Sequence, residues 1–441
     1  MLQALKKPKF LVFATTQSAS LFGDKLDYMA MLALFAWLSA RGGWDQSRAI
    51  ATLSVVAALP TVIFAPVAGL LVDRWDRRKV MIACDSLRVL IVLVIPFIAV
   101  RLSSMPLVYA AAFAVFLCGM MFNSARMSIL PGLVDAEDDR TSKRILSANS
   151  FMNLTGRIAT LLGMVLGGLI VDWQGWARIG ISPPWSAGFY VDSLTYLVSV
   201  IGLIVIYKRI HAPAIERPVR SLPEAASTVK LMLHRTLHVF SDLADAWKLV
   251  VRTPSVMFVY ASIVALVTIG AGVLVLYVPV IQGTSATGGL DMGTRGVGLI
   301  AGVGSVGLII SSVGYGIIGH RVPKHLVILA AFLTASACAT VLSQTDSLWL
   351  ILPGAFFAGL SLSPIYIGMD TLVHEAVPNE IRGRVFSNRE WVMHLGFALN
   401  ALVLGQLTRV VPKRTLLLAV GIVVGTASII GFFVTRRKNI G

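Results

Sequence analysis

Twelve apolar segments alternate along the chain with polar connections, and each segment is long enough to cross a bilayer. A spanning helix needs about 20 apolar residues, because a helix rises ~1.5 Å per residue across a hydrocarbon core of roughly 30 Å. The pattern therefore predicts an all-α integral membrane protein with twelve transmembrane helices. The segments fall at 10–40, 50–72, 80–100, 106–126, 147–172, 187–207, 254–282, 296–319, 324–343, 347–370, 386–409 and 413–435.

One connection is much longer than the others and separates six segments from six. Residues 208–253 are polar and basic, and 224–250 fits an amphipathic cytoplasmic helix. We expect an N-terminal six-helix bundle over 1–207, a cytoplasmic linker over 208–253 and a C-terminal six-helix bundle over 254–441. Two pseudo-symmetric bundles of this kind are typical of secondary transporters.

Composition and charge fit this membrane class. The 441 residues are 56% hydrophobic and 14% charged, whereas soluble domains average about 25% charged. The net charge of +16 does not indicate nucleic-acid binding, because the basic residues lie between apolar runs. Of the 38 lysines and arginines, 26 lie in the segments that are on the same side of the membrane as the N-terminus. Because basic residues concentrate on the cytoplasmic side, this distribution predicts a multi-pass protein with both termini in the cytoplasm. The three cysteines lie in apolar runs, so we expect neither a disulfide nor a metal site nor a cofactor.

The first apolar segment carries Asp24, Lys25 and Asp27 within one helical turn near its middle. A charge at that depth costs roughly 2.5–3.5 kcal/mol or more, so such residues usually face a protein interior or a water-filled path. The default hypothesis is a substrate or proton site built on the two carboxylates. The alternative is a structural cluster in which Lys25 merely neutralises its neighbours.

Two further segments contain buried charge. Arg157 lies inside the fifth segment, one turn after Asn153, and it needs a partner. Asp24 or Asp27 is the expected partner, and the guanidinium also suits an anionic substrate. Asp85 and Arg88 in the third segment are spaced to pair with each other, which favours a structural role.

The connection after the second segment carries a spaced motif. It reads GLLVDRWDRRKV from Gly69 and resembles the G-x-L-x-D-R-x-G-R-K/R loop of the major facilitator superfamily, with Asp76 in place of the second glycine. The matching residues are Gly69, Leu71, Asp73, Arg74, Arg77 and Arg78. The resemblance implies the major facilitator fold and a cytoplasmic gate that this loop latches. A basic turn that only sets topology is the alternative.

Two more elements carry this resemblance. The stretch VPNEIRGRVF from Val377 resembles an element of the bacterial macrolide and enterobactin exporter branch, and it places Arg382, with Asp370 before it, at the same gate. The first half is also similar to lysophospholipid transporters. In the fifth segment, Gly163, Gly167 and Gly168 resemble an antiporter element in which Met164 replaces proline, and small residues at this spacing equally favour close helix packing.

The resemblance implies a bacterial inner-membrane transporter that works as a monomer. We expect it to export an amphipathic small molecule of the drug, macrolide or siderophore class by alternating access, coupled to protons and surrounded by membrane lipids. A lysophospholipid flippase, whose partner is a lysolipid, and a non-transporting sensor stay open as alternatives. The chain contains no phosphate-binding loop, zinc-protease motif or nucleophile elbow, so we do not expect an enzyme.

Overall fold

The computed structural model describes residues 8–42, 44–133, 141–207, 253–319 and 322–437. Within these ranges it leaves undescribed the side chains of 8–9, 65–74, 127–128, 130–133, 141–147, 149–150, 207, 318, 379–381, 383–384 and 434–437. The predicted linker helix over 224–250 lies outside the described residues. Every regular element in the described part of the chain is a helix.

In the described part of the chain, twelve long helices match the twelve apolar segments, which confirms the predicted fold class. The first six are α1 (Pro8–Ala40), α2 (Gln46–Arg74), α3 (Arg77–Phe97), α4 (Met105–Leu133), α5 (Thr141–Asp172) and α6 (Ser186–Tyr207). The second six are α7 (Pro254–Gly272), α8 (Gly293–Ile318), α9 (Lys324–Gln344), α10 (Leu348–Ala376), α11 (Asn379–Leu407) and α12 (Lys413–Arg437).

Ten helices in the described residues are long and apolar enough to cross a membrane by composition alone. The two long helices outside this set, α1 and α11, are 33 and 29 residues long. In α1 three charged residues, Asp24, Lys25 and Asp27, lie within one turn near its middle. Because charge in a spanning helix is costly, this turn of α1 is expected to face a polar interior.

Two helices change their pitch beside a proline. After Pro96, α3 continues as a π turn over Ile98–Leu102. A second π turn, Val273–Tyr277, joins α7 to a last helical turn, Val278–Gln282, which contains Pro279. Proline lacks the backbone N–H and displaces the preceding carbonyl, so a local change of helix type is the expected response.

By packing, the chain divides into two compact units. The first comprises Met1–Ala30 and Leu59–Ser241, and the second comprises Met31–Ala58 and Asp242–Gly441. In the second unit, Gln46 Nε2 donates to Gln282 Oε1 at 2.6 Å, which ties the start of α2 to the end of the α7 segment. The predicted division at the linker, between residues 207 and 254, stays a prediction.

An apolar cluster joins five helices of the first unit. It contains Phe10, Phe13 and Ala14 of α1, Val80, Met81 and Cys84 of α3, Phe122 and Ala125 of α4, and Leu203 and Ile206 of α6, together with Ala148 of α5. In the sequence of each of α1, α3 and α6, these residues lie next to a group of buried polar residues. The cluster therefore closes the first unit on one side of those polar groups.

Candidate functional site

A group of buried polar side chains occupies the middle of the first unit. Asp24 comes from α1, Asp85 and Arg88 come from α3, and Asp192 and Tyr196 come from α6. Asp85 and Asp192 are fully buried and Arg88 is 6% exposed. Asp27 of α1 is also buried. The group therefore contains four carboxyl groups and one buried guanidinium, which pairs with Asp24 and Asp85. We call these six residues the carboxylate cluster.

Arg88 lies at the centre of this cluster. Its Nη1 is 3.4 Å from Asp85 Oδ1 and 3.9 Å from Asp24 Oδ1, and its Nε donates to the backbone carbonyl of Val115 on α4 at 3.4 Å. The rings of Tyr196 and Phe122 flank the guanidinium at 5.0 and 5.7 Å. Buried arginine is stabilised only by such a combination of anions, carbonyls and ring faces.

Glycine at position 119 makes room for this side chain. A Cβ atom added there would overlap Arg88 Nη2. The guanidinium therefore lies directly against the backbone of α4, and the small residue allows its bond to the carbonyl one turn earlier.

Asp24 is the most accessible carboxyl group of the cluster. Its Oδ1 accepts a hydrogen bond from Tyr196 Oη at 2.5 Å, and its side chain is 34% exposed. Of the four carboxyl groups, Asp24 therefore has the most surface open to a proton or a cation. Tyr196 and Arg88 both contact this one oxygen, so the charge on Asp24 influences both α3 and α6.

Three carboxyl oxygens of the cluster have no hydrogen-bond partner among the described residues. They are Asp27 Oδ1, Asp85 Oδ2 and Asp192 Oδ2, while Asp192 Oδ1 accepts from Thr195 Oγ1 at 3.1 Å. An unpaired buried carboxylate is costly, and the cost falls when the oxygen gains a proton. The arrangement therefore suits groups that bind and release protons.

Close packing of α1 on α6 brings these groups together. A Cβ at Gly23 would overlap Asp192 Oδ1 and Thr195 Oγ1, and one at Gly188 would lie 2.7 Å from Ala30 Cβ. Small residues let two membrane helices approach this closely. The antiparallel register that results places Asp24 beside Tyr196 and Asp27 beside the turn that carries Asp192.

The expected pairing of Arg157 with Asp24 or Asp27 is not what the structure brings together. Arg157 is exposed, as is Asn153, and none of the ion pairs among the described residues includes Arg157. The reason is the packing of α5, whose Gly163 and Gly167 meet α1 at Lys25 and Met29. Asp24 instead contacts α3 and α6, so Arg88 takes the predicted place of Arg157.

The glycines of α5 lie in the contact with α1. A Cβ at Gly163 would lie 2.7 Å from the carbonyl oxygen of Phe22, and one at Gly167 would lie 3.2 Å from Met29 Cγ. Gly168 is also buried. This placement agrees with the packing alternative for these residues and leaves their antiporter role a prediction.

The motif loop is described only at its end. The side chains of Gly69, Asp73 and Arg74 lie outside the described part. Asp76, the departure from the superfamily pattern, is the N-cap of α3, because its Oδ1 accepts from the backbone N–H of Arg78 at 3.0 Å. Aspartate is a preferred N-cap, so this substitution stabilises the start of the helix that Arg77 begins.

The other two predicted gate residues, Asp370 and Arg382, lie in the second unit and have different partners. Asp370 of α10 forms an ion pair with Arg389 of α11, and Arg389 Nη2 also lies 2.8 Å from Glu390 Oε1. Arg382 donates to the carbonyls of His374 and Val377 at 2.9 and 3.1 Å. Cations at a helix C-terminus satisfy its free carbonyls, so Arg382 caps α10.

The sequence patterns did not single out Tyr196, Asp192 or Arg389 as site residues. The signal for the first two is their spacing, since Asp192 and Tyr196 are four residues apart on one face of an apolar helix. Arg389 is 7% exposed and follows the R-G-R-V-F element by three residues. In the described part of the chain, no three His, Cys, Asp or Glu side chains are placed to hold a metal ion.

Comparison with known proteins decides the family. The sequence model of the Major Facilitator Superfamily matches residues 18–294 and 283–441. The chain belongs to the major facilitator superfamily. The resemblance of the motif loop is thereby confirmed, and so is the fold.

Relatives in the superfamily include transporters of two kinds. The multidrug efflux pump Tap of Mycolicibacterium fortuitum is 22% identical over 411 residues, which is 93% of this chain and 92% of that protein. The lysophospholipid transporter LplT of Enterobacter sp. (strain 638) is 31% identical over 189 residues, 42% of each chain. The chain is therefore a multi-pass membrane transporter of the superfamily, with efflux and lysophospholipid transporters among its relatives.

Solved structures show the same fold. The crystal structure of the nucleoside transporter NupG aligns with a TM-score of 0.69 over 96% of this chain and 99% of that one, at 11% identity. Identity at that level carries the fold alone.

Proposed function

We propose that this chain is a proton-coupled secondary transporter that exports an amphipathic small molecule from a bacterial cell. Efflux pumps among its relatives support the direction of transport. The carboxylate cluster supports coupling to protons. The transporter works as a monomer in the inner membrane with both termini in the cytoplasm, in agreement with the distribution of lysine and arginine.

The observation that carries the proposal is the environment of Asp24. Its carboxylate contacts the buried Arg88 and Tyr196, yet part of its side chain remains accessible. Its Oδ1 contacts Tyr196 Oη and lies 3.9 Å from Arg88, while 34% of its side chain is accessible. A carboxyl group of this kind can exchange a proton and can change its partners when it does so. The neighbouring orphaned oxygens of Asp27 and Asp192 supply further acceptors.

Protonation of Asp24 changes the forces between three helices. Neutral Asp24 attracts Arg88 less, so the guanidinium is held mainly by Asp85, which is already 0.5 Å closer (3.4 against 3.9 Å). Tyr196 then shares its hydrogen bond with a neutral partner, which is weaker than a bond to a carboxylate. Weaker contacts of Asp24 with Arg88 and Tyr196 change the relative stability of two conformations and therefore their populations. Coupled alternating access requires such a shift.

Proton flux in proteoliposomes tests this proposal. Purified protein is reconstituted with an internal pH dye and challenged with macrolides, lipophilic cations, catecholate siderophores and lysophospholipids. We expect one of these classes of compound to cause proton flux across the membrane with the wild-type protein. The same compounds should cause no proton flux with Asp24→Asn. The matched control is Asp291→Asn, an exposed loop residue with φ of 54° that asparagine also tolerates.

Other results would favour the alternatives. Movement of a labelled lysophospholipid between leaflets without proton flux would indicate a flippase. Ligand binding without any movement of ligand would indicate a sensor. Equal proton flux in Asp24→Asn and wild type would remove Asp24 from the mechanism.

A further inference from the structure

A groove runs between α1 and α5 on the side of α1 that faces away from the carboxylate cluster. Its volume is about 430 Å³. Alkyl, aromatic and hydroxyl side chains line it: Ala14, Thr15, Ser18, Phe22, Phe151, Thr155, Ile158, Ala159 and Leu162.

The three hydroxyl groups in this lining are occupied by their own helices. Thr15 Oγ1 donates to the carbonyl of Leu11 at 3.0 Å, Ser18 Oγ donates to Ala14 at 2.8 Å, and Thr155 Oγ1 donates to Phe151 at 3.0 Å. Such bonds satisfy the hydroxyl within the helix. The groove therefore presents methyl groups and rings to whatever occupies it.

A cation continues the same face of α1 beyond the groove. Lys25 follows Phe22 by three residues and Ser18 by seven, which is the spacing of one helix face. A Cβ at Gly163, the residue after Leu162, would lie 2.8 Å from Lys25 Cβ. The Cβ end of the Lys25 side chain therefore lies at the end of the groove.

Lys25 has no anionic partner in the described part of the chain. The ion pairs there do not include it, although Asp24 and Asp27 are its neighbours in sequence. Asp24 is directed to Arg88 and Tyr196, around the helix from α5. A half-buried lysine near the middle of a membrane helix is costly unless an anion approaches it.

We propose that the α1–α5 groove binds an alkyl chain whose anionic headgroup is held by Lys25. Single-chain anionic amphiphiles are then the substrate class of the transporter. The assignment of the groove's ligand as a substrate rests on the proposed function. The apolar lining favours an alkyl chain over a molecule rich in polar groups, because those groups would lose their hydrogen bonds to water in the groove. The assigned occupant is the exported amphiphile itself, and a lipid of the surrounding bilayer is the competing occupant that the experiments below distinguish from it.

Photolabelling of the full chain tests the site. The protein is placed in nanodiscs of phosphatidylcholine, and the probe is dodecyl phosphate with a diazirine at its methyl end. We expect labelled residues in the groove lining of α1 and α5. Labelling confined to other helices would overturn the assignment.

Two matched leucines on α5 separate occupancy of the groove from a general effect of bulk. Leu162 lines the groove and is 46% exposed, whereas Leu154 does not line it and is 42% exposed. The larger side chain in Leu162→Trp fills the groove, so most labelling of the groove lining by dodecyl phosphate should be lost. Leu154→Trp should be labelled like wild type. Equal labelling of the two variants would contradict the proposal.

The headgroup contact is tested at Lys25. Loss of a bond to a charged group predicts that Lys25→Gln binds the phosphate probe about tenfold more weakly. Lys25→Arg should retain binding, and a dodecyl glycoside of the same chain length should bind all three proteins equally. Equal affinity of Lys25→Gln and wild type for the phosphate probe would overturn the role of Lys25.

Two further measurements identify the source and separate this proposal from the proposed function. Transport of dodecyl phosphate in proteoliposomes would support the substrate assignment. Displacement of the probe by diacyl phosphatidylglycerol, without transport of the probe, would overturn it and assign the groove to a lipid. Labelling needs no gradient, so Asp24→Asn should label normally, and a failure of proton coupling would leave this result unchanged.

Discussion

Arg88→Met removes the one cation of the carboxylate cluster while it keeps much of the side-chain volume. Arg88 is 6% exposed, and its loss leaves Asp85 without its partner at 3.4 Å. It also frees the carbonyl of Val115. Removal of one partner from a buried ion pair costs about 3–5 kcal/mol, because the other charge stays buried. We therefore expect the melting temperature of the variant to fall by several degrees.

The cysteines of the chain provide the assay. The chain has three, Cys84, Cys118 and Cys338, of which Cys84 and Cys338 are buried and Cys118 is half-buried. A thiol-reactive fluorophore therefore reports unfolding of the purified protein on heating. In a Cys338→Ala background the two remaining thiols lie on α3 and α4, so they report the first unit specifically.

Two controls make this prediction specific. Arg101→Met removes an exposed arginine at the end of the same helix segment and should leave the melting temperature unchanged. Asp85→Asn combined with Arg88→Met should restore part of the loss, since the stranded carboxylate is then neutral. A melting temperature of Arg88→Met equal to that of wild type would refute the account of a buried cation that holds the cluster together.

Three further changes have defined outcomes. Tyr196→Phe keeps the ring and removes the 2.5 Å bond to Asp24, so we expect a loss of about 1.5–3 kcal/mol in thermal unfolding and a slower proton-coupled rate; an unchanged rate would exclude Tyr196 from coupling. Gly163→Val should destabilise the protein by about 1–3 kcal/mol, because its Cβ meets a backbone oxygen at 2.7 Å. Gly314→Ala, with no heavy atom within 4 Å of its Cβ, is the control and should melt no lower than wild type. Asp370→Asn removes the ion pair with Arg389, but the Asp370 side chain is 47% exposed, so we expect the free energy of unfolding to fall by no more than about 1 kcal/mol. A larger fall would show that solvent screens this pair less than expected.

The positions of the helices could be predicted from the sequence because a bilayer imposes their length. The apolar segment 10–40 became Pro8–Ala40, and 324–343 became Lys324–Gln344. Water is absent from the hydrocarbon core, so backbone groups must pair within each segment, and a helix is the solution for a single span. This constraint acts locally and is therefore visible in hydropathy alone.

Two of the four carboxylates of the site, Asp24 and Asp27, could also be predicted, but their partner could not. The cost of charge at mid-membrane singles out Asp24 and Asp27 in any sequence analysis. Which helix faces them depends on how closely α1, α5 and α6 approach, and Gly23 and Gly163 set that approach. Sequence spacing within one helix gives the pair of Asp85 and Arg88, whereas contacts between helices need the structure.

The most direct test of the central claim separates coupling from binding at Asp24. Proteoliposomes are loaded with the amphiphile that causes proton flux, and two rates are measured: exchange of labelled for unlabelled amphiphile without a gradient, and accumulation driven by an imposed pH gradient. The account predicts that Asp24→Asn keeps exchange and loses gradient-driven accumulation, while Asp291→Asn keeps both. Gradient-driven accumulation by Asp24→Asn at the wild-type rate would contradict it.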